Sequence, residues 1–154
     1  MTSSDIAIVH VDDEPSILSA LRRTLAHVSA GREVRVSVRS FTSANAALGT
    51  LLTEPVDVVI ADYRMPEMDG VELLRRVREL QPYTGRILLS GTTEYSFLLM
   101  AVNRAAVSRV LVKPWVDEEL FDAVCHSVAL RRLQLENAEL ADQVRVQRGQ
   151  LSQQ

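Results

Sequence analysis

Short apolar runs, too brief to be helices, alternate along this chain with stretches whose apolar residues recur every three or four positions. That rhythm restricts the fold more than any other feature. Parallel strands need a long crossover, and a helix packed on the sheet supplies it, so the alternation predicts a parallel sheet covered by helices on both faces. Strands are expected at Ile6 to Val11, across Val34, Val36 and Val38, at Val56 to Ala61, at Arg86 to Leu89, and at Val107 to Val112. Most of these are apolar throughout, as strands buried on both faces are. The Val34 to Val38 stretch instead alternates with Arg35, Ser37 and Arg39, which places it at an edge with one wetter face.

Helical spacing joins the strands. Ile17, Leu18, Leu21, Leu25 and Val28 follow Pro15, which a first turn tolerates. Ala44, Ala47, Leu48, Leu51 and Leu52 follow the capping candidates Thr42 and Ser43, and Val71, Leu74, Val77 and Leu80 follow Asp69-Gly70 and stop before Pro82. A fourth helix is expected from about Thr93 to Asn103, and a fifth from Asp117, with Glu118 and Glu119 at the positive end of its dipole. The expected fold class is α/β, a doubly wound five-stranded parallel sheet with an extended last helix.

Composition narrows the function classes. With 154 residues, a formal charge of −3 and a pI near 5.6, the chain has the size of one domain with an appendage and lacks the basic excess that nucleic acid or anionic lipid would attract. Direct nucleic-acid and membrane partners are therefore not expected. No apolar run approaches a membrane span, and the N-terminus lacks the basic-then-apolar signature of a secretory signal, so a cytoplasmic location is expected. The single cysteine, Cys125, has apolar neighbours and reads as a packing residue.

In open parallel sheets, functional groups gather beyond the carboxyl ends of the strands. Here the first strand runs into Asp12-Asp13-Glu14, the third into Asp62, the fourth into Ser90-Gly91 and the fifth into Lys113-Pro114. Converging carboxylates repel, so they need protonation or a divalent cation, and an oxygen-only ligand set with room for waters suits Mg²⁺, with Mn²⁺ as a substitute. Beside that ion, Asp62 is a carboxylate nucleophile able to accept a phosphoryl group. Lys113 is the only lysine among 17 basic residues; a compact ammonium meets one phosphoryl oxygen without the planar fork of arginine. Ser90 supplies a small hydroxyl for another oxygen.

These residues carry a resemblance. "VHVDDEPSIL", "VVIADYRMPEMDGVELL", "ILLSG" and "VLVKPW" are similar, in order and spacing, to the motifs of response regulator receiver domains of two-component signalling, over about Asp5 to Val128. The resemblance implies a flavodoxin-like sheet of strand order 2-1-3-4-5 and Asp62 as phosphoacceptor. It implies metal ligation by Asp12, Asp13, Asp62 and the backbone carbonyl of Arg64, phosphoryl contacts from Ser90 and Lys113, and a cis Lys113-Pro114 bond. The donor it implies is a sensor histidine kinase or phosphotransfer protein, and such a chain catalyses only its own phosphotransfer and dephosphorylation. One position departs from the family: Val110 stands where a switching Tyr or Phe is common, and a stiff β-branched side chain has no ring to swing. Output would then pass through the loop after Ser90, the fourth helix, or the Trp115 turn. The Lys-Pro-Trp ending and helical connector are similar to those of receivers joined to enzymatic outputs.

The same residues admit other readings. His10 shares a strand face with Asp12 and reads as a histidine packed under a helix; Trp115, Tyr95 and Phe97 read as core or rim aromatics, while Tyr63 and Arg64 are expected over the site. An aspartate-nucleophile phosphatase needs an acid two residues after the nucleophile, where this chain has Arg64. A phosphorylation-independent interaction module of the same fold is the remaining alternative. A P-loop is absent from the sequence.

The last helix is expected to pack through Leu120, Phe121, Val124, Cys125 and Val128. From there the pattern changes, dividing the chain into a receiver at 1–128 and, at 129–154, a coiled-coil extension or linker toward an output domain absent from the chain. Leu130, Asn137, Val144 and Leu151 recur every seven residues, with Leu133, Leu140 and Gln147 between them, which predicts a homodimer through this helix. Asn137 meets its counterpart only in a parallel, in-register pair, while Gln147 and Gly149 weaken the last turns.

Overall fold

A computed structural model describes residues 5–91 and 107–152. The expected fourth helix, with Tyr95 and Phe97, lies outside the described residues. Five parallel strands form one sheet in the order β2-β1-β3-β4-β5: β1 (Asp5–Val11), β2 (Arg35–Phe41), β3 (Val58–Asp62), β4 (Gly85–Ser90) and β5 (Arg109–Val112). Helices α1 (Pro15–Ser29), α2 (Ala44–Leu51), α3 (Gly70–Leu80) and a C-terminal helix (Asp117–Ser152) complete the described elements. The fold class and strand order match the expectation.

Strand period two sorts the core onto the two faces of the sheet. Ile6 and Ile8 of β1 join Ile87 and Leu89 of β4 beneath α1 and the C-terminal helix. Val9 and Val11 join Leu88 beneath α2 and α3. β3 and β4 are buried at every position, whereas β2 alternates exposed and half-buried residues as an edge strand should.

Two strands are shorter than their apolar runs suggest, because side chains replace ladder bonds at their starts. Before β3, the Asp57 carboxylate accepts from the Ala7 N–H at 2.8 Å. Before β5, the Ser108 hydroxyl accepts from the Arg86 N–H at 2.9 Å. Helix starts follow capping chemistry: Ser43 Oγ accepts from the Ala46 N–H, and Asp69 Oδ1 from the Glu72 N–H at 2.8 Å. Asp117 lies within the first turn of its helix, together with Glu118 and Glu119.

The C-terminal helix has two halves. Leu120, Phe121, Ala123, Val124, Ser127 and Val128 are buried against the sheet, and a Cβ on Gly85 would come within 2.5 Å of Ser127 Cβ, so the helix crosses β4 where no larger residue fits. Past Ala129, Leu130, Leu133, Leu140 and Val144 are exposed. At the exit the Arg131 guanidinium pairs with Asp57 at 3.2 Å and Arg132 donates to the Asp5 carbonyl at 2.8 Å. No helix among the described residues is long and apolar enough to cross a membrane.

Candidate phosphoryl-acceptor site

Two strand ends bring three carboxylates together at the carboxyl rim. Asp12 and Asp13 follow β1, Asp62 closes β3, and these two strands are neighbours in the sheet. One carboxylate oxygen from each of the three lies within 4.8 Å of the others. Asp12 and Asp62 are buried and Asp13 is exposed, so the group opens to solvent on the Asp13 side.

The peptide backbone arranges this convergence. The Tyr63 N–H donates to the Leu89 carbonyl at 2.9 Å and the Lys113 N–H to the Ser90 carbonyl at 2.8 Å, which carry the β3–β4 and β4–β5 pairings one residue past the strands. Gly70 opens α3 so close to β3 that a Cβ there would lie 2.3 Å from the Asp62 carbonyl oxygen and 2.7 Å from Leu88 Cδ1. Glycine is required by that approach rather than by its torsions. Asp12 Oδ1 accepts from the Glu14 N–H at 2.9 Å, which fixes the carboxylate's rotamer and leaves Oδ2 facing the rim.

Lys113 reaches across from β5. Its Nζ lies 2.6 Å from Asp62 Oδ1 and 3.2 Å from Asp12 Oδ2. The Lys113-Pro114 bond is cis, as the resemblance implied. Burial raises the Asp62 carboxyl above its ordinary range; the Lys113 bond opposes that, and the charges of Asp12 and Asp13 add to it. Burial pulls the Lys113 ammonium down, but Asp62 and Asp12 together raise it further, so it stays protonated. The two shifts describe one imbalance: the ammonium is held by two carboxylates, Asp62 and Asp12, while Asp13 adds a third negative charge to the same cluster. A divalent ion on the oxygen-only ligand set would remove the excess charge.

Ser90 is buried at the end of β4, one residue beyond the partner of Asp62, and its hydroxyl donates to the Gly91 carbonyl at 3.1 Å. Arg64 lines an open cavity of about 420 Å³ with Asp13, Tyr63, Met65, Pro66 and Asp69. Val110 of β5 is half-buried and packs against the core cluster that includes Leu88. His10 is fully buried on the strand face it shares with Asp12, and its ring nitrogens have no hydrogen-bond partner. Burial, then Lys113 and Arg22, push its imidazole down to about 3, so it is neutral.

Sequence reasoning missed Glu67. Its carboxylate accepts from Ser43 Oγ at 2.9 Å, the Ala44 N–H at 3.1 Å and Asn45 Nδ2 at 2.9 Å, latching the β3–α3 loop onto the start of α2. An acid at a helix N-terminus is a recognisable signal when contiguous, but here it comes from another part of the chain.

Comparison with known proteins agrees with this geometry. Residues 8–125 match the response regulator receiver domain family. The hydrogenase transcriptional regulatory protein HoxA of Cupriavidus necator is 37% identical over 134 residues, covering 87% of this chain and 26% of that protein. Response regulator protein TmoT of Ectopseudomonas mendocina is 29% identical over 152 residues, covering 99% of this chain and 66% of TmoT. The chain thus spans about a quarter of the HoxA length. Among solved structures, the signal receiver domain of an HD domain-containing protein from Pseudomonas fluorescens Pf-5 superposes with a TM-score of 0.76 at 31% identity, covering 86% of this chain and 93% of that one. Strand order, motif order and the acid rim converge on one assignment, and the chain belongs to the response regulator receiver domain family.

Proposed function

We propose that Asp62 accepts a phosphoryl group from a sensor histidine kinase or phosphotransfer protein in a Mg²⁺-dependent reaction in the cytoplasm. The observation that carries this reading is the Lys113 ammonium bridging Asp62 and Asp12 within a cluster of three converging carboxylates. Asp12, Asp13, Asp62 and the backbone carbonyl of Arg64 would hold the ion, with Mn²⁺ as a substitute. When bound, it supplies charge neutralisation and a template for the phosphoryl oxygens. An Asp62 oxygen attacks phosphorus, the P–N bond of the donor phosphohistidine breaks, and the imidazole leaves with the electron pair. Lys113 then pairs with one phosphoryl oxygen and Ser90 donates to another. Arg64 offers no acid to protonate an alcohol leaving group, which disfavours a general phosphatase.

Acetyl phosphate with Mg²⁺ should add one phosphoryl group, and Asp62→Asn should lower labelling by orders of magnitude because an amide is a poor nucleophile. Undiminished labelling of Asp62→Asn would move the acceptor elsewhere, and no labelling of the wild type would favour the phosphorylation-independent interaction module.

The reading extends to the tail, with the receiver at 1–128 and a dimerising helix from 129. Arg131, Arg132 and Leu135 approach the receiver body and Leu130 flanks it beside Tyr83 and Arg86, while the heptad positions Leu133, Asn137, Leu140 and Val144 fall on the opposite side of the helix. Sedimentation should show a dimer that is lost when the chain ends at Ala129. A full-length monomer at high micromolar concentration, phosphorylated or not, would reduce the tail to a linker.

A further inference from the structure

The turn between the acid rim and the C-terminal helix is closed by one hydroxyl of α1. The Trp115 indole N–H donates to Thr24 Oγ1 at 3.2 Å, and the Thr24 hydroxyl donates in turn to Asp117 Oδ1 at 3.4 Å. A hydroxyl does both at once, which an isosteric valine cannot. The two partners flank Val116, so Thr24 grips the turn just before and just inside the helix.

Upstream, Lys113 bonds Asp12 and Asp62 and is separated from Trp115 by Pro114 alone. The proline ring fixes φ, leaving little slack between the ammonium's backbone and the indole. If Asp62 carries a phosphoryl group, its charge draws Lys113 from Asp12, and that shift is delivered to Trp115. Downstream, Asp117 begins the helix that carries the exposed heptads. A second tie holds α1's end of the chain to the same helix: Arg32 pairs with Glu118 at 3.3 Å and stacks over Phe121 at 4.7 Å. Trp115 itself is half-buried against the core that contains Leu120, Phe121 and Val124. The route needs no aromatic ring on β5, where Val110 stands.

We propose that Thr24 is a positioning residue that couples the phosphorylation state of the rim to the first turn of the C-terminal helix, through Trp115 on one side and Asp117 on the other. This rests on Asp62 being the phosphoacceptor.

Trp115 is the sole tryptophan, so the full chain carries its own reporter. The chain is treated with acetyl phosphate and Mg²⁺ while mass spectrometry follows Asp62 labelling, fluorescence follows Trp115, and hydrogen exchange follows the amides of residues 117–121. In the wild type, labelling should change both emission and first-turn exchange. Thr24→Val should be labelled equally while its exchange response falls about five-fold, as expected when both modest hydrogen bonds of the Thr24 hydroxyl are lost from the coupled state. Thr24→Ser should restore the response, and Trp115→Phe, which keeps a ring but no donor, should reproduce the loss. A full response in Thr24→Val, or a labelled wild type with unchanged emission and exchange, overturns the proposal. Absence of label on wild-type Asp62 instead overturns the phosphoacceptor reading and this inference with it, and is told apart because in a decoupled protein the label still enters.

Discussion

Asp57 and Asp62 stand at opposite ends of the same strand, roughly 17 Å apart at the rise of a β-strand, and each is paired with a basic side chain. At the amino rim the Asp57 carboxylate divides between the Ala7 N–H at 2.8 Å and Arg131 at 3.2 Å, while its backbone bonds Ala7 and Gly85. At the carboxyl rim Asp62 must share Lys113 with Asp12 while facing Asp13 as well. An aspartate paired with a basic side chain therefore gives different outcomes at the two rims, and stoichiometry is one difference between them. One acid to one cation, with other lone pairs satisfied, makes a joint; three clustered acids, two of them held by one lysine among the described residues, make a site that gains from a further positive charge.

Buried nitrogens differ between the rims in the same way. Arg131 Nε lacks a partner, but Asp57 holds the charge of its guanidinium; His10, beneath the acid rim, lacks any partner and stays neutral. The largest expected effect follows. With the folded imidazole at about 3 and the unfolded one near 6.5, the unfolded chain binds the extra proton between these values, so stability is full above about 6.5 and falls as pH drops toward 3. The ceiling on that loss is about 4 to 5 kcal/mol. His10→Leu, which removes both unpartnered nitrogens, should flatten this acid limb in urea unfolding at pH 7 and pH 4. An unchanged limb would assign it to the carboxylates.

Asp57→Asn should come next, costing about 2 to 3 kcal/mol because it leaves the Arg131 charge without its carboxylate in a largely buried place. Labelling of Asp62 should not change. A stability loss below about 0.5 kcal/mol would place this pair with ordinary surface ion pairs and remove the contrast between the rims.

How much of this was legible in the sequence depended on whether the signal was contiguous. β1, α1 and the acidic pair could be read directly, since apolar period and the residues just past a strand are local properties. Strand order came from resemblance and not from pattern, because nothing in a strand's own residues names its neighbour. β3 and β5 start later than their apolar runs, since Asp57 and Ser108 substitute side chains for ladder bonds after those runs have begun. Glu67, Thr24 and the Asp57–Arg131 pair escaped for a common reason: each meets a partner at least 22 residues away, and a polar residue looks the same in sequence whether or not that partner exists. The rim residues were legible because four strand ends announced them together; the joint at the other end consists of one acid and one arginine, neither of which stands out.

The smallest expected effect is also the sharpest test of the stoichiometric argument, because its sign differs from that at Asp57. Burial and the charges of Asp12 and Asp13 disfavour an ionised Asp62 in the metal-free protein, against the favourable bond to Lys113. Asp62→Asn removes one of three crowded charges and still leaves Lys113 paired with Asp12 at 3.2 Å, so metal-free stability should rise by up to about 1 kcal/mol. Mg²⁺ at ten times its dissociation constant should stabilise the wild type by about 1.4 kcal/mol, since it binds the folded chain alone. The same Mg²⁺ concentration should stabilise Asp62→Asn much less, because a ligand oxygen and a charge are gone, while Asp57→Asn should gain the full increment despite its lower starting point. Thermal unfolding with EDTA and with Mg²⁺ across the three proteins separates the possibilities. If Asp62→Asn loses stability without metal, as Asp57→Asn does, then Asp62 and Lys113 form a joint like the one at the other rim, and excess charge is not what prepares this site for an ion.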